Sequence, residues 1–315
     1  MNNKIVLNQG YGAFLTKIYF ENGVVIKKSI NNQGNIRITE EINFYNFVKD
    51  KPFGFLVPNI FMVDDKSFHM EYLENYITIE KHLRNIDNTD KTCQIVHFIK
   101  KILNEKLYIE NKNIDFNTYK KNLILETTEK ILSRNKTINF IIEKYSFIKK
   151  VNGIKIMDLD TILSKIKVLI ETYLKTAELI YFPVHGDLQL NNILINPENN
   201  NIKFIDPRGY FGESKIYGMK EYDYAKLYFG LSGYSYFDLK EVTNLNIIND
   251  SGNIIIDMKE IITIQGQSHI IQLLIICIWL GNAHCFITNE LKVVESYFYA
   301  LYLATIYLDN LDKTI

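Results

Sequence analysis

The chain has 315 residues, a length that suits two lobes or two domains rather than one. Lys plus Arg and Asp plus Glu number 36 each, and the formal net charge of zero disfavours a broad basic nucleic-acid face or a polybasic membrane anchor. With 47% hydrophobic and 23% charged residues, the composition excludes a disordered or fibrous protein.

The cysteines and the hydropathy pattern predict the compartment. Cys93, Cys277 and Cys285 cannot form an even disulfide framework, and none stands in a C-x-x-C pair. The first ten residues lack the long apolar core of a signal peptide. Residues 270–280 are the most apolar stretch, but Gln272 interrupts it and it is shorter than the ~20 residues of a membrane span. We expect a cytoplasmic protein without a membrane span and without structural zinc.

Residues 4–73 have the pattern of a small antiparallel sheet with one helix. Asn22-Gly23 is a strong hairpin turn between two β-rich runs, and Phe44, Phe47 and Val48 recur at helical spacing. Strands are predicted over residues 5–7, 14–20, 24–27, 59–63 and 67–73, and a helix over 36–48.

From Thr78 onward the period becomes helical. Helices are predicted over residues 78–84, 92–109, 116–133, 158–180, 222–231, 268–286 and 291–311. Two short β-pairs interrupt them, at 193–195 with 202–205 and at 242–248 with 254–256. The pattern predicts a nucleotide-binding lobe over residues 1–75 and a helical catalytic and acceptor-binding lobe over 76–315, connected at 71–75.

The chemistry is concentrated in residues 183–206. Asp187 follows His185 by two residues, Asn192 follows Asp187 by five, and Asp206 closes the second strand of the following β-pair. Phosphoryl transfer from a magnesium nucleotide needs one carboxylate to orient the attacking hydroxyl, and an Asn oxygen with a second carboxylate to hold Mg²⁺. These residues predict a kinase site in which Asp187 is the base and Asn192 and Asp206 are the metal ligands. His185 is interpreted as a residue that organises the loop rather than as a proton shuttle.

This stretch resembles the aminoglycoside phosphotransferase-like small-molecule kinases, relatives of choline kinases and protein kinases. Their His-x-Asp-x-x-x-x-Asn loop and their next-strand Asp are met here. The resemblance implies an α+β, protein-kinase-like fold of two lobes, with a small antiparallel sheet and one helix before a larger, mainly helical lobe. It also implies ATP or GTP as co-substrate with Mg²⁺. Tyr222-Asp223-Tyr224-Ala225 is similar to the family's helix start, in which the Asp, here Asp223, braces the catalytic loop.

The resemblance extends to the nucleotide-binding lobe. Residues 24–27 are similar to the strand that carries a phosphate-binding Lys, which selects Lys27, whereas strand alternation alone would favour Lys28. Its ion-pair partner is expected on the 36–48 helix, and the spacing of the apolar residues favours Glu40 over Glu41.

Two further segments are candidates for nucleotide contacts. Gly10 and Gly12 lie between predicted strands, where a glycine turn lets backbone N–H groups approach phosphate; an ordinary hairpin turn is the alternative. Residues 70–73 look like the family's adenine-binding hinge, which places Glu71 and Leu73 at the base.

One position departs from many relatives, and it bears on the acceptor. Arg208 stands where they carry an acid, and it could stabilise the transferring charge or bind an anionic acceptor. The zero net charge fits a neutral or anionic acceptor, such as a sugar or sugar derivative of surface-polysaccharide metabolism, better than a polycation. A choline or ethanolamine kinase and an aminoglycoside kinase remain alternatives.

Two other classes of function were weighed. A non-catalytic nucleotide-binding pseudokinase would be expected to have lost one of the four motif residues named above, and all four are present. A protein kinase would need an Ala-Pro-Glu stretch and a longer activation segment than the one between Asp206 and Tyr222. A small-molecule hydroxyl acceptor is therefore preferred, and the sequence does not determine an oligomeric state.

Overall fold

The structure is a computed structural model that describes residues 5–6, 15–64, 66–86, 89–240, 245–262 and 266–312. The strands, in chain order, are β1 Ile5–Val6, β2 Thr16–Glu21, β3 Val24–Ser29, β4 Ile60–Val63, β5 Ser67–Glu71, β6 Ile77–Thr78, β7 Lys112–Asn113, β8 Lys150–Val151, β9 Ile154–Lys155, β10 Ile180–Pro183, β11 Ile193–Ile195, β12 Ile202–Phe204, β13 Tyr210–Phe211, β14 Ser214–Lys215, β15 Tyr217–Gly218, β16 Asn246–Ile248 and β17 Asn253–Ile255. The helices are α1 Asn32–Lys49, α2 Ile79–Arg84, α3 Thr89–Ile102, α4 Phe116–Ile124, α5 Lys130–Lys144, α6 Leu159–Leu174, α7 Lys220–Phe229, α8 Ser235–Leu239, α9 His269–Leu280 and α10 Glu290–Asp312.

The chain forms two compact units that are each assembled from two segments. Unit 1 comprises Met1–Asn113 and Ile180–Leu231, and unit 2 comprises Ile114–Leu179 and Ser232–Ile315. The chain leaves unit 1 at a kink where Gly233 has a φ of 109°. The lobes predicted with a boundary at residue 75 divide nucleotide binding from acceptor binding, and that division of roles stays a prediction.

Unit 1 is built on a five-stranded sheet of order β1-β2-β3-β5-β4, whose strand pairs are all antiparallel. Asn22 and Gly23 both have positive φ in the turn between β2 and β3, as an Asn-Gly hairpin requires. Helix α1 begins after Asn31, whose side chain accepts a hydrogen bond from Gly34 N–H. It packs against β3 and β5 with its buried residues, which are Gly34, Ile38, Glu41, Phe44, Tyr45 and Val48.

The second segment of unit 1 adds the short strands that carry the candidate site. β11 pairs with β12 and, on its other side, with β6 from the first segment, which forms a three-stranded sheet. β10 lies between β7 and β15 in another. The turn from β10 to β11 and the residues after β12 are thereby placed beside the larger sheet's helix α1.

Unit 2 is mainly helical. Its helix α9 packs against α5 and α10, and the indole of Trp279 is fully buried and donates a hydrogen bond to Ser232 Oγ at 2.9 Å. A four-stranded sheet of order β16-β17-β8-β9 includes the parallel pair of β17 with β8. In the described part of the chain, His269–Phe286 alone is long and apolar enough to cross a membrane, with a mean hydropathy of 1.6; 61% of it is buried in the protein, as in a core helix.

Candidate active site

The turn after β10 is organised by a buried, neutral histidine. His185 is 1% exposed, and its Nδ1 accepts a hydrogen bond from Asp187 N–H at 3.3 Å. The proton therefore lies on Nε2, which donates to Ile205 O at 2.9 Å. Burial lowers the pKa of His185 to about 4. The ring thus links the start of the loop to the end of β12 without carrying a charge.

Asp223 on α7 supports the same loop from below. One carboxylate oxygen accepts from Gly186 N–H at 2.7 Å, and the other accepts from His185 N–H at 2.8 Å and from Tyr108 Oη–H at 3.1 Å. Burial raises the pKa of Asp223 to about 7, although these three donors favour the carboxylate. Gly186 has a φ of 78°, and a Cβ there would lie 3.0 Å from Tyr210 O. Asp223 therefore binds the backbone of the loop that the resemblance implied it would support. Residue 186 must be glycine because of its positive φ and the close approach of Tyr210 O.

Asp187 forms an ion pair with a cation that the sequence did not single out, Lys226. Its Oδ1 lies 2.9 Å from Lys226 Nζ, and its side chain keeps 23% of its surface exposed. Burial would raise the pKa of Asp187, but Lys226 and Arg37 offset this and hold the pKa below its usual value. Asp187 is therefore an ionised acceptor at neutral pH.

Asn192 lies beside the end of β12 because of the strand register. Ile193 pairs with Phe204, and Asn192 O accepts from Ile205 N–H at 3.0 Å, which brings Asn192 next to Asp206. Its Nδ2 donates to Asp187 O at 2.8 Å. With the amide nitrogen used in this way, the amide oxygen is the atom oriented for a cation.

Asp206 is held between two cations. It has a φ of 57°, a left-handed conformation that Asp tolerates better than most residues. Its Oδ1 lies 2.7 Å from Lys27 Nζ and 3.2 Å from an Arg37 guanidinium nitrogen. Burial would raise the pKa of Asp206, but Lys27 and Arg37 hold it well below the usual range. The side chain is still 40% exposed, so part of the carboxylate faces open space.

Lys27 is the lysine of β3 that enters the site. It lies on the buried face with Val25 and Ser29, whereas Lys28 is exposed. Burial alone would lower the pKa of Lys27, but the carboxylates of Asp206 and Glu41 raise it above its usual value. Lys27 is therefore a charged ammonium on a side chain that is itself almost fully buried.

The partner of Lys27 on α1 is Glu41, at 2.7 Å, and the prediction of Glu40 is wrong. Glu40 instead pairs with Lys215 at 2.7 Å. The reason is helical geometry: Glu41 lies three or four residues from the buried Ile38 and Tyr45, whereas Glu40 is rotated from Glu41 by about 100° around the helix axis. Phe47, used to set the predicted spacing, is not among the buried residues of α1 but contacts the ring of Tyr217.

No contact in the described part of the chain brings the four other residues predicted to contact the nucleotide into this cluster of side chains. β5 ends at Glu71, whose carboxylate binds Asn59 Nδ2 at 2.7 Å and Lys203 Nζ at 3.3 Å, and the chain then turns with Tyr76 N–H donating to Leu73 O. Gly10 and Gly12 lie outside the described residues. The nucleotide contacts of all four residues stay predictions.

Arg208 lies over the ring of Tyr210, with 3.8 Å from the guanidinium carbon to the ring centroid, and donates to Tyr222 Oη at 3.2 Å. Its backbone N–H donates to His185 O at 2.7 Å, which ties it to the catalytic loop. A role at the transferring phosphate stays a prediction for this residue.

The oxygen donors of the site suit magnesium. Asn192 and Asp206 supply an amide oxygen and a carboxylate side by side, and Mg²⁺ commonly binds through one or two protein carboxylates with water and phosphate oxygens completing its shell. No group of three or more His, Cys, Asp or Glu side chains that could hold a metal occurs among the described residues.

The fold of the chain is similar to that of several solved small-molecule kinases. The chain is similar to the choline kinase LicA from Streptococcus pneumoniae (TM-score 0.51, 14% identity, 95% of this chain and 93% of that one). It is also similar to a choline/ethanolamine kinase family protein from Mesorhizobium loti (0.52, 8%, 95% and 87%) and to an ethanolamine kinase from Plasmodium vivax (0.51, 14%, 98% and 83%). These likenesses confirm the predicted α+β kinase fold and, at the level of the fold, the resemblance to this group. No protein-family model and no curated protein sequence matches the chain.

We expect Asp223→Asn to lower the free energy of unfolding by about 1–3 kcal/mol. The carboxylate accepts hydrogen bonds from two backbone N–H groups, and in the variant one of these groups would face an amide NH₂, which cannot accept. Urea unfolding at neutral pH measures this. Asp309→Asn, at an exposed position, is the matched control and should change the free energy by less than about 0.5 kcal/mol. Equal, small effects of the two substitutions would contradict the bracing role.

His185 should contribute stability that depends on pH. Its pKa is about 4 in the folded chain and 6.5 in a free side chain, so the unfolded state binds more protons between those values. The contribution is complete above pH 6.5 and is lost as the pH falls through 4, by up to about 3 kcal/mol for a shift of this size.

The measurement is urea unfolding of the protein and of His185→Gln at pH values from 7 to 4. The difference in free energy between them should shrink as the pH falls. A constant difference for His185→Gln would show that the imidazole is not kept neutral.

Proposed function

We propose that the chain is a magnesium-dependent kinase that transfers the γ-phosphate of ATP to a hydroxyl group of a small molecule. One observation carries this: within unit 1, the structure gathers the base candidate Asp187, the paired oxygen donors Asn192 and Asp206, and the buried Lys27–Glu41 ion pair. Phosphoryl transfer needs these three functions and little covalent chemistry from the protein. The fold shared with choline and ethanolamine kinases supports the same reaction class.

In this proposal Lys27 binds phosphate oxygens of the nucleotide. Glu41 fixes the direction of its ammonium group, and burial leaves the charge poorly screened and therefore strong. Asn192 and Asp206 would hold Mg²⁺, which would supply positive charge against the phosphate groups. The negative charge of Asp206 would then be neutralised by the bound cation, and the ammonium group of Lys27 would be available to the nucleotide.

Asp187 would act on the acceptor. Because it is ionised at neutral pH, it can accept a hydrogen bond from the acceptor hydroxyl and hold that oxygen in line with the terminal phosphate. The proton passes to Asp187 as the new bond to phosphorus forms. Its depressed pKa makes it a weak base, so orientation is the larger part of its task and proton transfer comes late.

For the acceptor we favour a neutral or anionic molecule, in particular a sugar or sugar derivative of surface-polysaccharide metabolism. The zero net charge supports this, because a polycationic aminoglycoside would need a strongly acidic site. Choline or ethanolamine is the second candidate, since the similar structures named above include kinases of these two compounds. In unit 2 the rings of Tyr234, Trp279 and Tyr299 pack edge to face, but they are buried and belong to the core. They do not strengthen the case for a choline cage.

The test is a screen for ADP release with purified protein, ATP and Mg²⁺ against sugars, amino alcohols and aminoglycosides, with GTP as the alternative donor. We place the reaction in the cytoplasm, where ATP is available. Nucleotide binding without turnover on any acceptor class would support the non-catalytic alternative.

We expect Asp187→Asn to reduce turnover by about 10²–10⁴-fold, the usual contribution of a positioned general base. The substitution keeps the size of the side chain, so affinity for Mg-ATP should change little. ADP release and calorimetry measure the two quantities, with Asp309→Asn as the control for an exposed carboxylate. Full turnover with the true acceptor would remove Asp187 from the reaction.

Adjacent lysines on β3 provide a second, internally controlled comparison. We expect Lys27→Met to weaken ATP binding by about tenfold or more, because a charge-assisted bond to phosphate is lost, and Lys28→Met to have almost no effect. Calorimetric titration with Mg-ATP measures both, after thermal unfolding has shown that each variant is folded. Equal effects would mean that the ammonium of Lys27 serves only the Glu41 and Asp206 carboxylates.

A further inference from the structure

Helix α1 directs two charged side chains, one turn apart, at the same part of the site. Glu41 binds Lys27, and Arg37, four residues earlier, binds Asp206. The guanidinium nitrogen Nη2 of Arg37 lies 3.2 Å from Asp206 Oδ1 and 3.2 Å from Asp206 O. Arg37 stands in the predicted 36–48 helix, but none of the motifs read from the sequence includes it.

Neutralising Asp206 does not by itself account for a second cation. Lys27 already lies 2.7 Å from the same carboxylate oxygen, and the Asp206 side chain is 40% exposed. Burying a guanidinium to 19% exposure costs solvation free energy. A carboxylate oxygen that is shared with Lys27, together with one backbone oxygen, offsets this cost poorly. The carboxylates of Asp206, Glu41 and, to a smaller extent, Asp187 raise the pKa of the Arg37 guanidinium, although burial would lower it. Its charge therefore acts on both the metal-ligand candidate and the base candidate.

That position coincides with the path of the transferred group. In an in-line transfer the terminal phosphate lies between the metal ligand and the acceptor hydroxyl, and the hydroxyl is held by the base. Arg37 donates to both the side chain and the backbone oxygen of Asp206, and therefore lies on the metal-ligand side of that phosphate. Arg suits this place, because its planar fork of five donors matches phosphate oxygens and it stays charged throughout.

On the premise of the proposed kinase function, we propose that Arg37 binds the γ-phosphate of the nucleotide and stabilises its charge during transfer. The bond from phosphorus to the β-phosphate oxygen breaks, the bond to the acceptor oxygen forms, and the acceptor's proton goes to Asp187. Arg37 exchanges no proton in this step. Arg208, the arginine that the sequence suggested, instead stacks on Tyr210.

The experiment compares ATP with ADP, which differ by the phosphate in question. Affinities for both are measured by calorimetry at fixed Mg²⁺ for the protein, Arg37→Gln, Arg37→Lys and the control Arg134→Gln. Arg134 donates to a backbone carbonyl, Gly281 O, in unit 2. We expect Arg37→Gln to weaken ATP by about tenfold to a hundredfold and ADP by less than about threefold, with Arg37→Lys in between and the control unchanged.

Equal weakening of ATP and ADP, or no weakening of either, would overturn the assignment, since Arg37 would then serve only the shape of the Asp206 turn. Should Arg37→Gln fail to fold, Arg37→Lys carries the same comparison with a smaller expected ratio. A wild-type protein that binds neither nucleotide would instead overturn the kinase proposal itself, and that result appears before any variant is made.

Discussion

Lys27 lies almost fully buried between two carboxylates, with Nζ 2.7 Å from Glu41 and 2.7 Å from Asp206. An ammonium group in such a place would lose its proton or draw in water if either acid were absent, because its desolvation is costly. Removing one partner of a buried pair typically costs about 3–5 kcal/mol. The interaction therefore fixes the face of β3 that turns inward, the rotation of α1 about its axis and the left-handed turn at Asp206. The ammonium group of Lys27 thus holds together β3, α1 and the turn after β12.

The outline of the fold was predictable because much of it follows from local patterns. The Asn22-Gly23 hairpin, the helix α1 and the paired strands β11 and β12 all lie where periodicity and turn residues place them. The hairpin of β8 and β9 was missed, because strands of two residues carry no period. Likewise the sequence does not predict β10, and the predicted helix over 158–180 includes its first residue, Ile180: strand pairing with β7 and β15, not local propensity, makes β10 extended.

The candidate site divides in the same way. His185, Asp187, Asn192 and Asp206 were found because their spacing within one short stretch is required by the chemistry. Arg37 and Lys226 were not found, and Glu41 was named only as the less favoured alternative to Glu40, since each reaches the site from a helix through tertiary packing. For Glu41 the signal was present in the sequence: the buried period of α1 includes Tyr45 and Val48 and selects position 41. Lys226 and Arg37 contact Asp187 and Asp206 across the fold, and no local pattern in the sequence predicts these two contacts.

The discontinuity of unit 1 has a consequence for how the chain is made. Lys27 and Glu41 are synthesised early, but Asp206 follows Lys27 by 179 residues, and the segment that enters unit 2 is made in between. A nascent chain that has reached residue 180 holds the complete β3–α1 hydrophobic face and none of the second segment that closes the unit. Contacts so distant in sequence close slowly, because the entropy of a long loop is lost before any bond is gained. A growing chain of this protein would thus expose the Lys27–Glu41 ion pair without Asp206 and an unpaired β6 edge on the ribosome, where a chaperone would have the greatest influence on the yield of folded molecules.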